Sequence, residues 1–184
     1  MIGKKILKES LKVLILGSLI SSLGGFALEN VKDKILLFLP LVIILPALAN
    51  MIGHAGIIFV SKITTYFYTG KLKLNNIESK QVMHLFFLLL IIFSLASVYV
   101  TILTIFVSYL KGFSFNFIFG LKMLITVFLT TVLIVFLVSF VAIIGWKYTI
   151  KNKIDPDDLL IPITTSIADL GSFILFSLLV FLLF

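Results

Sequence analysis

The sequence predicts an all-α integral membrane protein of five transmembrane helices, the second of them broken, with the N-terminus in the cytoplasm and the C-terminus outside. Three observations carry that prediction. Of 184 residues, 61% are hydrophobic and only 12% charged, more apolar surface than a soluble domain of this size could cover. The apolar residues gather into five runs, each near the roughly 20 residues that a helix needs to cross a hydrocarbon core of about 30 Å. Lysines punctuate the runs instead of forming one patch, as topology signals do.

The first run covers residues 6–28 and has an uncharged heart at 13–28, with Lys12 free to snorkel to the interface. No small-x-small cleavage site follows it, which argues against a removable signal peptide. The second run, 35–61, contains no formal charge but holds Pro40 and Pro46. Each proline removes a backbone donor and invites a kink or break. Ala47, Ala49, Gly53, Ala55 and Gly56 follow, small residues that let helices approach closely. A kinked packing helix without a site is the plain alternative for this run. Residues 85–110 and 123–146 are the cleanest spans, and 159–184 is the fifth.

Lysine placement sets the expected orientation. Eleven lysines fall on one side: Lys4, Lys5, Lys8 and Lys12 before the first span, Lys62, Lys71, Lys73 and Lys80 between the second and third, and Lys147, Lys151 and Lys153 between the fourth and fifth. Only Lys32, Lys34, Lys111 and Lys122 fall on the other, so the N-terminal side is cytoplasmic by the positive-inside rule. The net charge of +7 is therefore dispersed, and nucleic acid is not an expected partner. With no cysteine there is no disulfide, thiolate metal site or thiol nucleophile. No linker composition interrupts the chain, so residues 1–184 read as one five-helix domain, surrounded by the lipid of the cytoplasmic membrane.

Asp169 stands out as the acidic residue inside the uncharged part of a span. A carboxylate near mid-bilayer is costly unless paired or wetted, and by default marks an ion pathway or proton relay. The plain alternative is an acid hydrogen-bonded to a neighbouring helix. Steps of three to five residues place Asp158, Pro162, Thr165, Asp169, Ser172 and Ser177 on approximately one face of the fifth span. Hydroxyls beside a carboxylate suit a hydrated hard cation such as Mg²⁺, which keeps several waters and needs few protein ligands. Thr164, Thr165 and Ser166 could equally bond back to their own helix. Asp155, Asp157 and Asp158 precede the span, where Asp157 or Asp158 is expected to cap the helix and all three could form a cation-concentrating vestibule. Asn50 and His54, four apart, share a face of the second span, with Ser61 two turns further; a lone histidine there is more often packed than a ligand. His84 is expected at the interface edge of the third span. No HExxH, GxSxG, phosphate loop or glycosidase-type carboxylate pair occurs, so neither an enzyme nor a resident cofactor is expected.

Two segments carry a family resemblance. The stretch LPALANMIGHAGIIFVSKITTYFYTG, residues 45–70, holds Pro46-Ala47-Leu48, Gly53-His54, Ser61-Lys62 and Gly70. The stretch DPDDLLIPITTSIADL, residues 155–170, holds Asp155-Pro156-Asp157, Pro162-Ile163 and Asp169-Leu170. In order and spacing they are similar to the MgtE and solute carrier family 41 group of Mg²⁺ channels and transporters, with His54 standing where that pattern has Asn and Lys62 where it has Arg.

The resemblance implies a cation pathway between two five-helix units, lined by the broken second and the fifth helices, with the fifth-helix Asp169 as the central Mg²⁺ site. A single unit per chain implies a homodimer, with two copies of Asp169 facing one hydrated ion. Thr165, Asn50 and His54 are the expected neighbours of that ion, and Asp155, Asp157 and Asp158 its inner vestibule. The cytoplasmic N and CBS domains of bacterial MgtE channels are not expected. The functional expectation is divalent cation transport, Mg²⁺ first; the alternatives are an Na⁺- or H⁺-coupled divalent cation exchanger and a non-transporting membrane subunit.

Overall fold

The structure, a computed structural model, describes residues 2–72, 80–114 and 116–184, with side chains from residue 11 onward. Lys73 lies outside the described residues, as do the side chains of Lys4, Lys5 and Lys8. Every element among the described residues is helical: α1 (Ile2–Glu29), α2 (Lys32–Leu37), α3 (Leu39–Tyr68), α4 (Lys80–Leu110), α5 (Phe117–Lys151) and α6 (Pro156–Leu183). Five are long and apolar enough to cross a membrane, namely α1 from Leu11 onward, α3, α4, α5 and α6. The protein is thus a multi-pass membrane protein. The helices outrun the apolar runs; α5 continues to Lys151, because helical hydrogen bonding persists through the interface where lysines can reach water.

The break in the second span lies at Phe38, before both prolines, where φ −118° and ψ 97° leave the helical region between α2 and α3. Pro40 sits in the first turn of α3, where its missing N–H has no helical partner to lose. Pro46 does not break α3, which runs on to Tyr68 with one carbonyl, that of Val42, released from the ladder. Other ends are set by local chemistry. Asn116 caps α5 by accepting from the Ile118 N–H at 3.2 Å. Gly112, at φ 84°, closes α4 while Phe113 N–H returns to the Ser108 carbonyl at 3.1 Å, the Schellman pattern. Lys153 does the same after α5 at φ 54°, a conformation a side chain disfavours.

The centre of the bundle is α6, which packs against α1, α3 and α5, while α4 lies outside against α3 and α5. The glycine contacts give the register. Gly53 and Gly56 of α3 face Thr165 and Thr164, and Ile134 and Gly145 of α5 face Gly171 and Leu160, so both helices run antiparallel to α6. Gly17 and Gly24 of α1 face Ser166 and Phe173, so α1 runs parallel to it. At one end the rings of Phe38, Phe113, Phe119 and Phe184 cluster, with centroids 5.1–6.4 Å apart, tying the helix break to the α4–α5 turn and the last residue. At the other end the buried Trp146 meets Phe67 edge-on at 5.3 Å.

These close approaches are specific. A Cβ at Gly56 would stand 2.9 Å from Val138 Cγ1 and 3.0 Å from Thr164 Cβ, both β-branched and unable to swing aside, whereas one at Gly25 would meet nothing. Gly56→Val should therefore destabilise by about 1–3 kcal/mol, and Gly25→Val should stay within about 0.5 kcal/mol of wild type, read from denaturation midpoints in detergent.

Candidate functional site

The site is built on the partly buried sector of α6 that lies between its contacts with α1 and α3. Moving round that helix, Leu160 and Gly171 face α5, Thr164 faces Gly56 and Val138, and Thr165 faces Gly53. On the opposite side Ser166 and Phe173 lie against Gly17 and Gly24 of α1. Asp169 stands between the two contact lines, half-buried, at the midpoint of α6. Because α3 is antiparallel to α6, Asn50, one turn before Gly53, comes level with Asp169. Asn50 and His54 are both exposed, on the flank of α3 that continues from the Gly53–Thr165 contact.

Asp169 has one hydrogen bond. Its Oδ2 accepts from Ser21 Oγ of α1 at 3.1 Å, while Oδ1 accepts none among the described residues and is not a sealed atom. No cation pairs with it: the ion pair present among the described residues, Lys32 with Glu29, is elsewhere and exposed. His54 Nδ1 lies 2.7 Å from the Asn50 carbonyl. A carbonyl only accepts, so Nδ1 carries a proton and donates it in this contact. Thr165 donates to the Ile161 carbonyl at 2.9 Å, so only its oxygen lone pairs are left to offer. Thr164 and Ser166 bond back likewise, at 2.7 Å each, to the Leu160 and Pro162 carbonyls. Pro162, inside α6, frees the Asp158 carbonyl.

The polar face expected along α6 is shorter than its spacing implied. Asp158, Pro162, Thr165 and Asp169 share it, but Ser172 is fully buried with an unpartnered Oγ, and Ser177 turns to α1 and donates to the Ala27 carbonyl. The acidic group is also arranged differently. The cap of α6 is Asp155, whose carboxylate accepts from the Asp157 N–H at 3.0 Å, and not Asp157 or Asp158. Pro156 occupies the first helical position, so the residue before it takes the capping role and the other two acids fall in the first turn, beside the positive end of the helix dipole. Asp158 is exposed, whereas Asp157 is partly buried, with its Oδ1 unpartnered at the end of the bundle that also holds the buried, unpartnered Thr64 Oγ1 and Trp146 Nε1.

The seven candidates therefore form two groups, Asp169, Thr165, Asn50 and His54 at mid-helix, and Asp155, Asp157 and Asp158, which lie about 16–21 Å from Asp169 along α6. Among the described residues no three His, Cys, Asp or Glu side chains converge on one point. His84 is exposed in the first turns of α4. Sequence reasoning missed Ser21, although Gly17, Ser21 and Gly24 have the three- and four-residue spacing of a helix-packing face.

The profile of the MgtE family, described as a divalent cation transporter, matches residues 45–179, about three quarters of the chain. The chain belongs to the MgtE divalent cation transporter family. Comparison with curated proteins found no match, and comparison with solved structures found none. As an MgtE family member the protein is a transporter, and its cargo is a divalent cation. The matched residues take in both candidate groups and leave out α1 and α2.

The capping role of Asp155 is separable from ion handling by measuring stability in EDTA. There Asp155→Ala should lower unfolding free energy by about 1 kcal/mol through loss of the cap, and the exposed Asp158→Ala by about 0.5 kcal/mol or less.

Proposed function

We propose that this MgtE family member is a homodimeric Mg²⁺ permease of the cytoplasmic membrane, with the pathway between α3 and α6 of two copies and Asp169 as its central site. The observation that carries this reading is the half-buried Asp169 carboxylate, midway along a membrane helix, with one oxygen accessible and no cationic partner among the described residues. Hydrocarbon does not stabilise such a group, but a hydrated divalent ion and its waters would.

The adjoining flank of α3 supports the dimer. Asn50 and His54 are exposed in a span where an amide and an imidazole would otherwise meet lipid. A second copy related by a two-fold axis would turn these groups toward their own counterparts and bring two Asp169 side chains to one aqueous path. Mg²⁺ holds most of its waters, so a site of few protein oxygens suits it. Asp169 Oδ1, the Asn50 amide oxygen and the lone pairs of Thr165 Oγ1 are the candidate acceptors for those waters. The carbonyl freed by Pro162 adds to the polar lining. Asp155, Asp157 and Asp158 would form the vestibule, on the cytoplasmic side if the lysine distribution sets N-terminus in and C-terminus out.

Mg²⁺ flux into liposomes tests the reading. Asp169→Asn is expected to abolish flux while leaving the dimer intact by cross-linking, and wild-type rates in that variant would overturn the proposal. In the same preparations Mg²⁺ at 100 times Kd should stabilise wild type by about 2.7 kcal/mol and Asp169→Asn far less. Flux that follows an imposed Na⁺ or H⁺ gradient would identify a coupled exchanger in place of a permease.

A further inference from the structure

We propose that Ser21 of α1 is a positioning residue for the ion site, its hydroxyl holding Asp169 Oδ2 so that Oδ1 alone meets the hydrated cation. The inference rests on the role proposed above for Asp169 and extends it to a helix outside residues 45–179, which the family match does not reach.

The three serines of α1 whose side chains are described make the comparison. Ser18 donates to the Ile15 carbonyl at 2.9 Å and Ser22 to the Leu19 carbonyl at 2.8 Å, the usual fate of a hydroxyl in an apolar helix. Ser21 forgoes its own helix and reaches across to Asp169. Among the described residues it is the one side chain that hydrogen-bonds this carboxylate.

The reach is set by the glycines on either side. A Cβ at Gly17 would stand 2.5 Å from Ser166 Oγ, and one at Gly24 would stand 2.6 Å from Phe173 Cδ2. Both positions permit the close approach that brings Ser21 within bonding distance. Elsewhere α1 is held little: among the described residues it packs extensively on α6 alone, and its other faces, Leu14, Leu19 and Phe26 among them, are exposed. The α1–α6 seam thus delivers one donor to one oxygen of the site.

A carboxylate with both oxygens free can rotate and present either or both to an ion. Fixing Oδ2 leaves a single acceptor in a set direction, which favours binding through one water of a hydrated ion over two-oxygen coordination of a bare one. Removing the donor should weaken ion capture more than passage, because the carboxylate itself remains.

The test is Mg²⁺ uptake into liposomes, read as KM and maximal rate for wild type, Ser21→Ala, Ser21→Thr, Ser22→Ala and Asp169→Asn. We expect Ser21→Ala to raise KM about tenfold, the scale of one lost charge-assisted hydrogen bond, with the maximal rate within about twofold. Ser21→Thr, which keeps the hydroxyl, should return KM to within about threefold of wild type, and Ser22→Ala should match wild type. An unchanged KM in Ser21→Ala beside an inactive Asp169→Asn overturns the Ser21 assignment alone. A fully active Asp169→Asn overturns the ion site and this inference with it. Equal losses of rate in Ser21→Ala and Ser22→Ala would mark α1 as structural and also overturn it. Should Ser21→Ala fail to fold, Ser21→Cys, of similar size but a weak donor, supplies the same readout: a raised KM supports the assignment and an unchanged KM defeats it.

Discussion

A carboxylate in the middle of a membrane helix must be compensated by something other than lipid, and the arrangement of this protein is organised around that constraint. On insertion scales an aspartate at the helix centre costs about 3 kcal/mol. Here Asp169 sits on α6, at the centre of the bundle, half-buried between the lines along which α1 and α3 pack. One oxygen is compensated by Ser21 and the other is left accessible. A purely structural acid would gain from having both oxygens satisfied inside the protein. Leaving one open is consistent with a cargo that brings its own positive charge and water, as the divalent cation of an MgtE transporter does.

What holds α6 at the centre is shape more than polarity. Between helices in lipid there is no solvent to expel, so van der Waals fit and close approach carry the association. Three helices present glycines or small side chains to α6, at Gly17 and Gly24, at Gly53 and Gly56, and at Gly145, and α6 returns the pattern with Gly171 against Ile134. The hydroxyls at these contacts mostly satisfy themselves: Thr164, Thr165 and Ser166 all donate to carbonyls of α6. Polar groups in the seam therefore demand nothing of their neighbours, and the backbones can come together. The exceptions, Ser21 to Asp169 and Ser177 to Ala27, both tie α6 to α1.

The prolines divide their work by position. Pro40 and Pro156 start helices, where a missing donor is harmless, while Pro46 and Pro162 sit inside helices and free a carbonyl on each of the two that flank the candidate path. Both helices continue through their internal proline, so the freed carbonyls add polarity to the spans without interrupting them. The interruption in the second span falls at Phe38, where the ring joins the aromatic cluster formed with Phe113, Phe119 and Phe184.

Much of this was legible in the residues alone. Span number, the presence of an isolated acid, Asp169, within a span and the family follow from quantities local to a segment: transfer free energy summed over some twenty residues, one charge against an apolar background, and motif spacing. Which acid caps α6 was misread because Pro156 starts the helix three residues earlier than the apolar run suggests. The serine stripe failed because, measured from Asp169, Ser172 is turned about 60° to one side, into the bundle, and Ser177 about 80° to the other, onto α1. Nothing local could pair Ser21 with Asp169, which are 148 residues apart. That pairing depends on which helix faces which, at what depth and in what register. Those are decided by the fit of glycines and branched side chains across the assembled bundle, and so only the tertiary structure could settle them.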